Sequence, residues 1–504
     1  MIRLLLLLLA VVPAVPQAEP APMPRPFAPV PFAAVVAAAE ADARALPADV
    51  AALTRYLDAR HLPGVEAREL RAVLSYHVNG LSRESKRTPV RAVTAALWAV
   101  RLDDYRWSAE TWDRLAGRNV YYATKAKISV PGAVVKKTRQ VQRADQYGRV
   151  YLANEEYTEA GPATEREDVI TAPWLPPAEM AGLVALTGSK SPIVRGDQFL
   201  FLTFAQVDRA GHGYYDWLAL TKRKDAEDLA ALDRAKAAEV YRELAAIVPV
   251  SGVSPNNRQV FRFATIVGAW WETRDSKTST GAQNGVSNLL DDYKHDAEEI
   301  VATLPNGLPF YYLSDAKGVQ VETAPDTIAA DHRSTNNDRR VHVGYSCAAC
   351  HQDAGLKPIR DYGRRIYDPQ TGLALGTLAL DAARSRRVES AYLGPLDRAY
   401  KRDLVDFGEA VEESSGLKGP ELAKAVERQW SRYLDEPVTL DRAAAETGYT
   451  TADLRDRLRR HARAKGIVDP LLASYLTDDP FPVRREHFEE RFGLLMLTLQ
   501  GAAP

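Results

Sequence analysis

Both cysteines of the 504-residue chain lie in one five-residue segment, which reads Cys347-Ala348-Ala349-Cys350-His351. Two residues between the cysteines give the sulfur spacing at which two thioether bonds reach the vinyl groups of one porphyrin. The histidine directly after the second cysteine can then bind the iron from one side of the ring. The segment therefore predicts one covalently attached c-type haem, with Cys347 and Cys350 as attachment residues and His351 as the proximal iron ligand.

Three other kinds of site use a cysteine pair of this spacing. A dithiol redox pair needs no histidine after the second cysteine, and histidine is rare in this chain, with 9 in 504 residues. A structural zinc site needs four ligands, and the sequence has no second cysteine pair. A disulfide bond across only two residues is uncommon. Only the haem interpretation accounts for the histidine that follows the pair.

The other axial position of the iron has several candidate ligands. His295 is the best placed in the sequence, because it leads into a predicted small sheet that precedes the cysteine segment, and we expect it to be the distal iron ligand. Met180 follows a proline-rich turn and is a second candidate. His332, His342 or an open position are the remaining alternatives, since haems that catalyse reactions or bind gases leave one position free.

The N-terminus predicts export from the cytoplasm. Met1-Ile2-Arg3 is a short positive start, residues 4–12 are an unbroken apolar run, and a segment rich in proline and alanine follows. This order is typical of a secretory signal peptide, which we expect over residues 1–18, before a Pro-rich leader over residues 19–32. The apolar run is too short for a permanent transmembrane helix, although an uncleaved anchor is the alternative. A periplasmic or otherwise exported location agrees with a c-type haem, which is attached outside the cytoplasm.

The charge composition argues against a nucleic-acid partner. Lysine and arginine number 65 against 66 aspartate and glutamate residues, for a formal net charge of −1. A short arginine-rich helical pair at 441–460 superficially resembles a DNA-binding motif, but aspartates are interleaved with its arginines. We therefore expect a redox partner protein and no nucleic acid, and the sequence does not indicate an oligomeric state.

The apolar spacing along the chain is mostly helical. Around the turn signal Asn306-Gly307, however, β-branched and aromatic residues favour strands, with candidates at 259–273, 299–304 and 309–313 and an earlier one at 149–154. The predicted helical segments are 33–112, 222–247, 375–412, 419–433, 439–447, 451–464 and 483–499.

These patterns predict a mainly α protein with a small antiparallel β-sheet preceding the haem motif. The cytochrome c-like haem site would then be embedded in a larger helical protein. The expected regions after the leader are a mainly helical N-terminal region at 33–248, a region with the small sheet and the haem at 249–370, and a helical C-terminal region at 371–504.

With these residues identified, the chain resembles a family of exported single-haem cytochromes c that are common in planctomycetes. The likeness extends over most of the chain and includes S-G-V-S-x-N-N-R, L-P-N-G-L and S-C-x-x-C-H motifs. Ala297 and Glu298 depart from the family pattern, which has two glycines there, and Pro309-Phe310 replaces a Gln-Ala pair. The segments that carry the resemblance are 101–107, 251–258, 268–275, 294–299, 304–308, 312–318, 346–351, 355–358 and 484–492.

The resemblance implies export and one haem, and it does not imply a substrate. We expect electron transfer by an iron-containing c-type cytochrome. The alternative is a haem-dependent oxidoreductase, peroxidase-like enzyme or haem-based sensor with an open distal site. A chain of 504 residues is larger than one electron-carrying haem requires, which favours a further activity. Against the peroxidase alternative, the sequence shows no recognisable distal base and arginine pair.

Overall fold

A computed structural model describes residues 30–118, 120–121, 123–130, 133–161, 164–171, 177–204, 213–240, 242–250, 254–324, 341–351, 356–363, 381–465 and 469–501. The predicted signal peptide, most of the predicted leader and the candidate ligand His332 lie outside these residues. Within these ranges, no helix is both long and apolar enough to cross a membrane.

The described chain contains both helices and strands, and its elements from Tyr345 onward are helical. The helices are α1 Phe32–Ala45, α2 Ala48–Leu53, α3 Gly64–Gly80, α4 Ala109–Arg118, α5 Pro177–Thr187, α6 Gly196–Phe204, α7 Tyr214–Trp217, α8 Arg223–Leu229, α9 Arg234–Glu239, α10 Tyr345–His351, α11 Ala382–Leu393, α12 Leu396–Ser415, α13 Gly419–Leu434, α14 Leu440–Thr447, α15 Thr451–Lys465, α16 Pro470–Ala473 and α17 Arg485–Gln500. The strands are β1 Thr54–Asp58, β2 Arg91–Ala92, β3 Leu97–Arg101, β4 Ala123–Val130, β5 Val134–Ala144, β6 Val150–Ala160, β7 Thr164–Thr171, β8 Ile193–Arg195, β9 Glu243–Val248, β10 Arg258–Ala264, β11 Ala269–Asp275, β12 Ala297–Thr303, β13 Pro309–Asp315, β14 Thr323–Ala324 and β15 Val341–His342.

The largest sheet is a five-stranded antiparallel meander with the order β13-β12-β11-β10-β9. The turn between β12 and β13 contains Asn306 and Gly307, and Gly307 adopts a φ of 87°, which glycine tolerates best. The Asn306 side chain also accepts the backbone N–H of Leu308 at 3.0 Å. The hairpin predicted from this dipeptide is therefore confirmed.

The fold class predicted from the sequence is wrong, because the protein is mixed α/β and not mainly α with one small sheet. A second, four-stranded sheet has the order β2-β3-β1-β8, with β1 antiparallel to β3 and parallel to β8. The region 33–248, predicted to be mainly helical, carries strands β1 to β9. The boundary predicted after residue 248 also separates β9 from the rest of the five-stranded sheet.

Two of the missed strands, β1 and β9, share a physical cause. Strand β1 is buried along its whole length, so its sequence lacks the alternation that marks a half-exposed strand. The single long helix predicted at 222–247 is instead α8, α9 and β9. Strand β9 contains residues that favour helices, Glu-Leu-Ala-Ala-Ile-Val, but pairs with β10 and is fully buried. Tertiary pairing therefore outweighs local propensity here.

The secondary structure predicted for the C-terminal region agrees better with the structure. The helices predicted at 419–433, 439–447, 451–464 and 483–499 correspond closely to α13, α14, α15 and α17. The helix predicted over 375–412 is described from residue 381 onward, and there Gly394 and Pro395 divide it into α11 and α12, because proline cannot continue a helix. The strand predicted at 149–154 overlaps β6, which begins one residue later at Val150.

Two apolar cores lie in the described chain. The larger contains the five-stranded sheet with helices such as α3, α6, α12 and α13. The smaller brings the two ends of the described chain together, because Phe32 and Val36 of α1 lie in one cluster with Phe488 and Phe492 of α17.

A buried network of charged side chains joins β8, α6, α14 and α17. Glu446 of α14 is fully buried and accepts hydrogen bonds from Arg195 at 2.7 Å and from both Nη atoms of Arg485 at 2.8 Å. Arg195 also pairs with Asp197, which contacts His61 Nε2 at 3.0 Å. Burial alone would raise the pKa of Glu446, but the two arginines hold it well below its usual range. Glu446 therefore connects the middle of the chain to its C-terminal helix.

We expect Glu446→Gln to lower the free energy of unfolding by about 3–5 kcal/mol, because two buried arginines lose a charged partner. Urea denaturation at neutral pH measures this. Glu436→Gln is the matched control, since Glu436 is exposed and contacts the neighbouring Arg442 at 3.6 Å. The control should change the stability by less than about 0.5 kcal/mol. A loss below about 1 kcal/mol in Glu446→Gln would contradict the network's role.

The same variant tests how the free energy of unfolding depends on pH. Because the folded-state pKa of Glu446 is depressed, its stabilisation is complete above the unfolded pKa of about 4.3 and is lost as the pH falls. The wild-type protein should therefore lose stability more steeply in acid than Glu446→Gln does.

Candidate functional site

The cysteine segment forms helix α10, whose position depends on a glycine. Gly344, just before the helix, has a φ of 82°, and a Cβ atom there would lie 2.1 Å from the backbone oxygen of Phe204. The Ser346 hydroxyl accepts the backbone N–H of His342 at 3.0 Å and closes the turn from β15. The aromatic ring of Tyr345 stacks on Trp430 of α13, with centroids 3.7 Å apart. The start of α10 is therefore fixed on several sides.

The helical geometry places the three predicted site residues on one face. Cys347, Cys350 and His351 occupy positions i, i+3 and i+4, which are neighbours on an α-helix. Cys347 is buried, Cys350 is half-buried, and no disulfide bond joins these two described residues. The structure thus brings together the two thiols and the imidazole that the sequence predicts as haem-binding groups.

Tyrosines surround Cys347, and the sequence did not single them out. The hydroxyls of Tyr214 and Tyr215 accept the backbone N–H groups of Tyr311 at 3.0 Å and Leu313 at 2.9 Å, which covers the edge of β13. Burial raises the pKa of the hydroxyls of Tyr214, Tyr215 and Tyr311 well above 10, and the nearby Cys347 thiol raises each pKa further. The adjacent tyrosines at 214 and 215 were the one sequence signal for this cluster.

His351 points its Nε2 atom at a carboxylate. This atom lies 3.5 Å from Oε1 of Glu299 on β12. Burial would raise the pKa of Glu299, but its interactions with His351 and Arg258 lower it. The other ring nitrogen, Nδ1, is buried and has no hydrogen-bond partner among the described residues. Nothing in the local sequence marks Glu299, because it comes close to His351 only in the tertiary fold.

The structure does not bring His295 to the same place. Its Nε2 atom lies 2.9 Å from Oε1 of Glu298, a buried carboxylate that also pairs with Arg223. Glu298 and Glu299 are consecutive residues of β12, so their side chains point to opposite faces of the sheet. The two histidines therefore contact carboxylates on opposite faces, and this geometry does not support His295 as the second ligand of an iron held by His351.

The other candidates for the distal position are placed differently. Met180 is buried in α5, within the smaller core with Phe32, whereas Cys347 belongs to the larger core. His342 lies in β15, close to the haem motif in the chain, and pairs in the sheet with Thr323.

A cavity of about 180 Å³ adjoins Glu299. Its lining combines apolar residues with several carboxylates. Its size is below the roughly 300–1,000 Å³ of typical cofactor and ligand pockets, and its lining does not include Cys347, Cys350 or His351. The lining residues are Asp275, Lys277, Asp296, Ala297, Glu298, Glu299, Leu313, Ser314, Asp315, Val321, Ala324 and Val341.

Comparisons with family models, with curated proteins and with solved structures find no match to this chain. The resemblance to exported cytochromes therefore rests on the sequence motifs alone. Among the described residues, no group of three or more His, Cys, Asp or Glu side chains could hold a metal ion. A haem iron needs only one or two protein ligands, so this finding does not bear on a haem.

Gly344→Ala should destabilise the protein by more than about 2 kcal/mol, because a left-handed backbone conformation and a clash with Phe204 act together. Gly408→Ala is the control, since nothing lies within 4 Å of a Cβ atom at this helical position. The control should stabilise the protein by up to about 1 kcal/mol. Equal effects of the two substitutions on the urea midpoint would refute the proposed constraint.

Proposed function

We propose that the protein is an exported c-type cytochrome that carries one covalent haem on Cys347, Cys350 and His351 and transfers electrons. The observation that carries this proposal is the arrangement of the C-x-x-C-H motif, which presents two thiols and an imidazole on one face of a partly buried helix.

When bound, the haem supplies one-electron transfer between ferric and ferrous iron. Cys347 and Cys350 tether the ring, and His351 provides the ligating nitrogen. The buried tyrosines beside Cys347 exclude water from this side of the site. Glu299 lies against Nε2 of His351, so its carboxylate would have to move aside for this nitrogen to bind the iron. A carboxylate that stayed nearby would favour the more oxidised state and lower the reduction potential.

Export and the partner are parts of the same proposal. The N-terminal sequence supports a signal peptide at residues 1–18 and a periplasmic or otherwise exported location. We propose a redox protein as partner, since the balanced charge of the chain does not favour nucleic acid.

A second function is a haem-dependent oxidoreductase or a haem-based sensor with an open distal position. The separation of His295 from His351 favours this alternative, because it leaves the iron without that sixth ligand. The cavity is lined in part by Glu299, which contacts His351, and it has room for a small molecule.

The chain, produced with its predicted signal sequence in a host that attaches haem c, should give a pyridine haemochrome spectrum. Its haem should resist extraction with acid–acetone. Cys347→Ala should shift the haemochrome band to longer wavelength, since one vinyl group stays unsaturated. Ala349→Ser keeps the motif spacing and is the control, with an unchanged spectrum. Absence of covalent haem in the wild-type chain would disprove the proposed cofactor.

Spectra of the ferrous protein with and without carbon monoxide should distinguish the two functions. Bands that carbon monoxide leaves unchanged indicate six-coordinate iron and electron transfer, whereas ready binding indicates an open site. His295→Ala should leave these spectra unaltered, while lowering the stability by about 1–2 kcal/mol through the lost contact with Glu298. Conversion of a six-coordinate to a five-coordinate spectrum in His295→Ala would establish His295 as the distal ligand and contradict the geometry described above.

A further inference from the structure

Strands β5 and β6 form an exposed two-stranded ribbon, which includes residues 134–160 and is here called the ribbon. Each strand has 11 residues, which corresponds to a length of roughly 35 Å. Within the described chain, the extensive contacts of β5 and β6 are with each other. A two-stranded hairpin alone in water is at best marginally stable. The ribbon is therefore a structure that would gain stability from a partner.

One face of the ribbon satisfies its own charges, and we call it the charged face. Arg139 contacts Glu155 at 2.8 Å and lies over the ring of Tyr157, 5.3 Å from its centroid. Lys137 contacts Glu159 at 2.6 Å. Since directly paired residues share a face, these groups and Tyr151 all lie on the same side. The charged face thus leaves little unpaired charge for another molecule.

The opposite face, the mixed face, has a different character. It carries one lysine and one glutamate, Lys136 on β5 and Glu156 on β6, which form no ion pair within the described chain. Near the ribbon's tip it exposes Val150 at 66% and Leu152 at 61%. The face is rich in threonine, glutamine and asparagine, and its residues are Val134, Lys136, Thr138, Gln140, Gln142, Ala144, Val150, Leu152, Asn154, Glu156 and Thr158.

We propose that the mixed face is the interface of a homodimer, packed against the same face of a second copy. A two-fold axis along the ribbon lays β5 of one copy over β6 of the other, with both tips pointing in the same direction. Lys136 then lies diagonally opposite Glu156 of the second copy, and the reverse pair forms by symmetry. The apolar tip residues Val150 and Leu152 face Ala144 and Gln142 of the second copy.

Charge complementarity favours a second copy over an unrelated partner. A face with only basic or only acidic residues would repel itself under two-fold symmetry, whereas one charge of each sign on opposite strands attracts. The face measures roughly 35 Å by 10 Å, which is smaller than the approximately 800 Å² per partner of a typical stable interface. The dimer should therefore be weak and dissociate on dilution, with a dissociation constant of roughly micromolar order.

Sedimentation analysis of the mature chain, over concentrations from about 1 to about 200 µM, tests the proposal around the expected dissociation constant. The wild-type chain should change from monomer to dimer in this range. Leu152→Asp should weaken the dimer at least about tenfold, because it places an unpaired charge in the interface. Tyr151→Asp is the matched control, since Tyr151 is the adjacent residue on the charged face, and it should leave the dimer intact.

A charge exchange provides the decisive comparison. Lys136→Glu alone should weaken the dimer, because glutamates then face each other, and Lys136→Glu with Glu156→Lys should restore it. A wild-type chain that is monomeric throughout, equal effects of Leu152→Asp and Tyr151→Asp, or no restoration in the double variant would each overturn the proposal. Far-UV circular dichroism of every variant establishes that the change is in association and not in folding.

Discussion

The carboxylate of Glu446 is the group on which much of the described structure depends. It is fully buried and shared by Arg195 and Arg485, which belong to β8 and α17. Removal of three charges from water is costly, so the arrangement is stable only when all partners are present together. The network therefore requires the C-terminal helices and the four-stranded sheet to adopt one relative position.

The buried charges also affect the position of the candidate site, and they do so through α6. Arg195 ends β8 and Asp197 lies in the first turn of α6, so the buried charges hold the start of this helix. The last residue of α6, Phe204, places its backbone oxygen against Gly344, at the entrance to α10. A charge network far from Cys347 in the sequence thus contributes to the position of the helix that carries the cysteines.

The five-stranded sheet separates groups that are close in the sequence. Glu298 and Glu299 are neighbours in β12, yet one contacts His295 and the other contacts His351. The edge strand β13 is covered by Tyr214 and Tyr215, which also bring buried hydroxyls close to Cys347. The surroundings of the cysteine helix are consequently built from segments that are distant along the chain.

The sequence by itself determined the features that depend on neighbouring residues. The spacing of Cys347, Cys350 and His351 places them on one helical face once α10 forms, and apolar spacing predicted α13, α14, α15 and α17. Only the tertiary structure decided that β1 and β9 are strands, because strands buried on both faces lose their alternation. It also decided that Glu299 of β12 lies against His351. The direction of a strand's side chains depends on partners elsewhere in the chain, which local sequence does not specify.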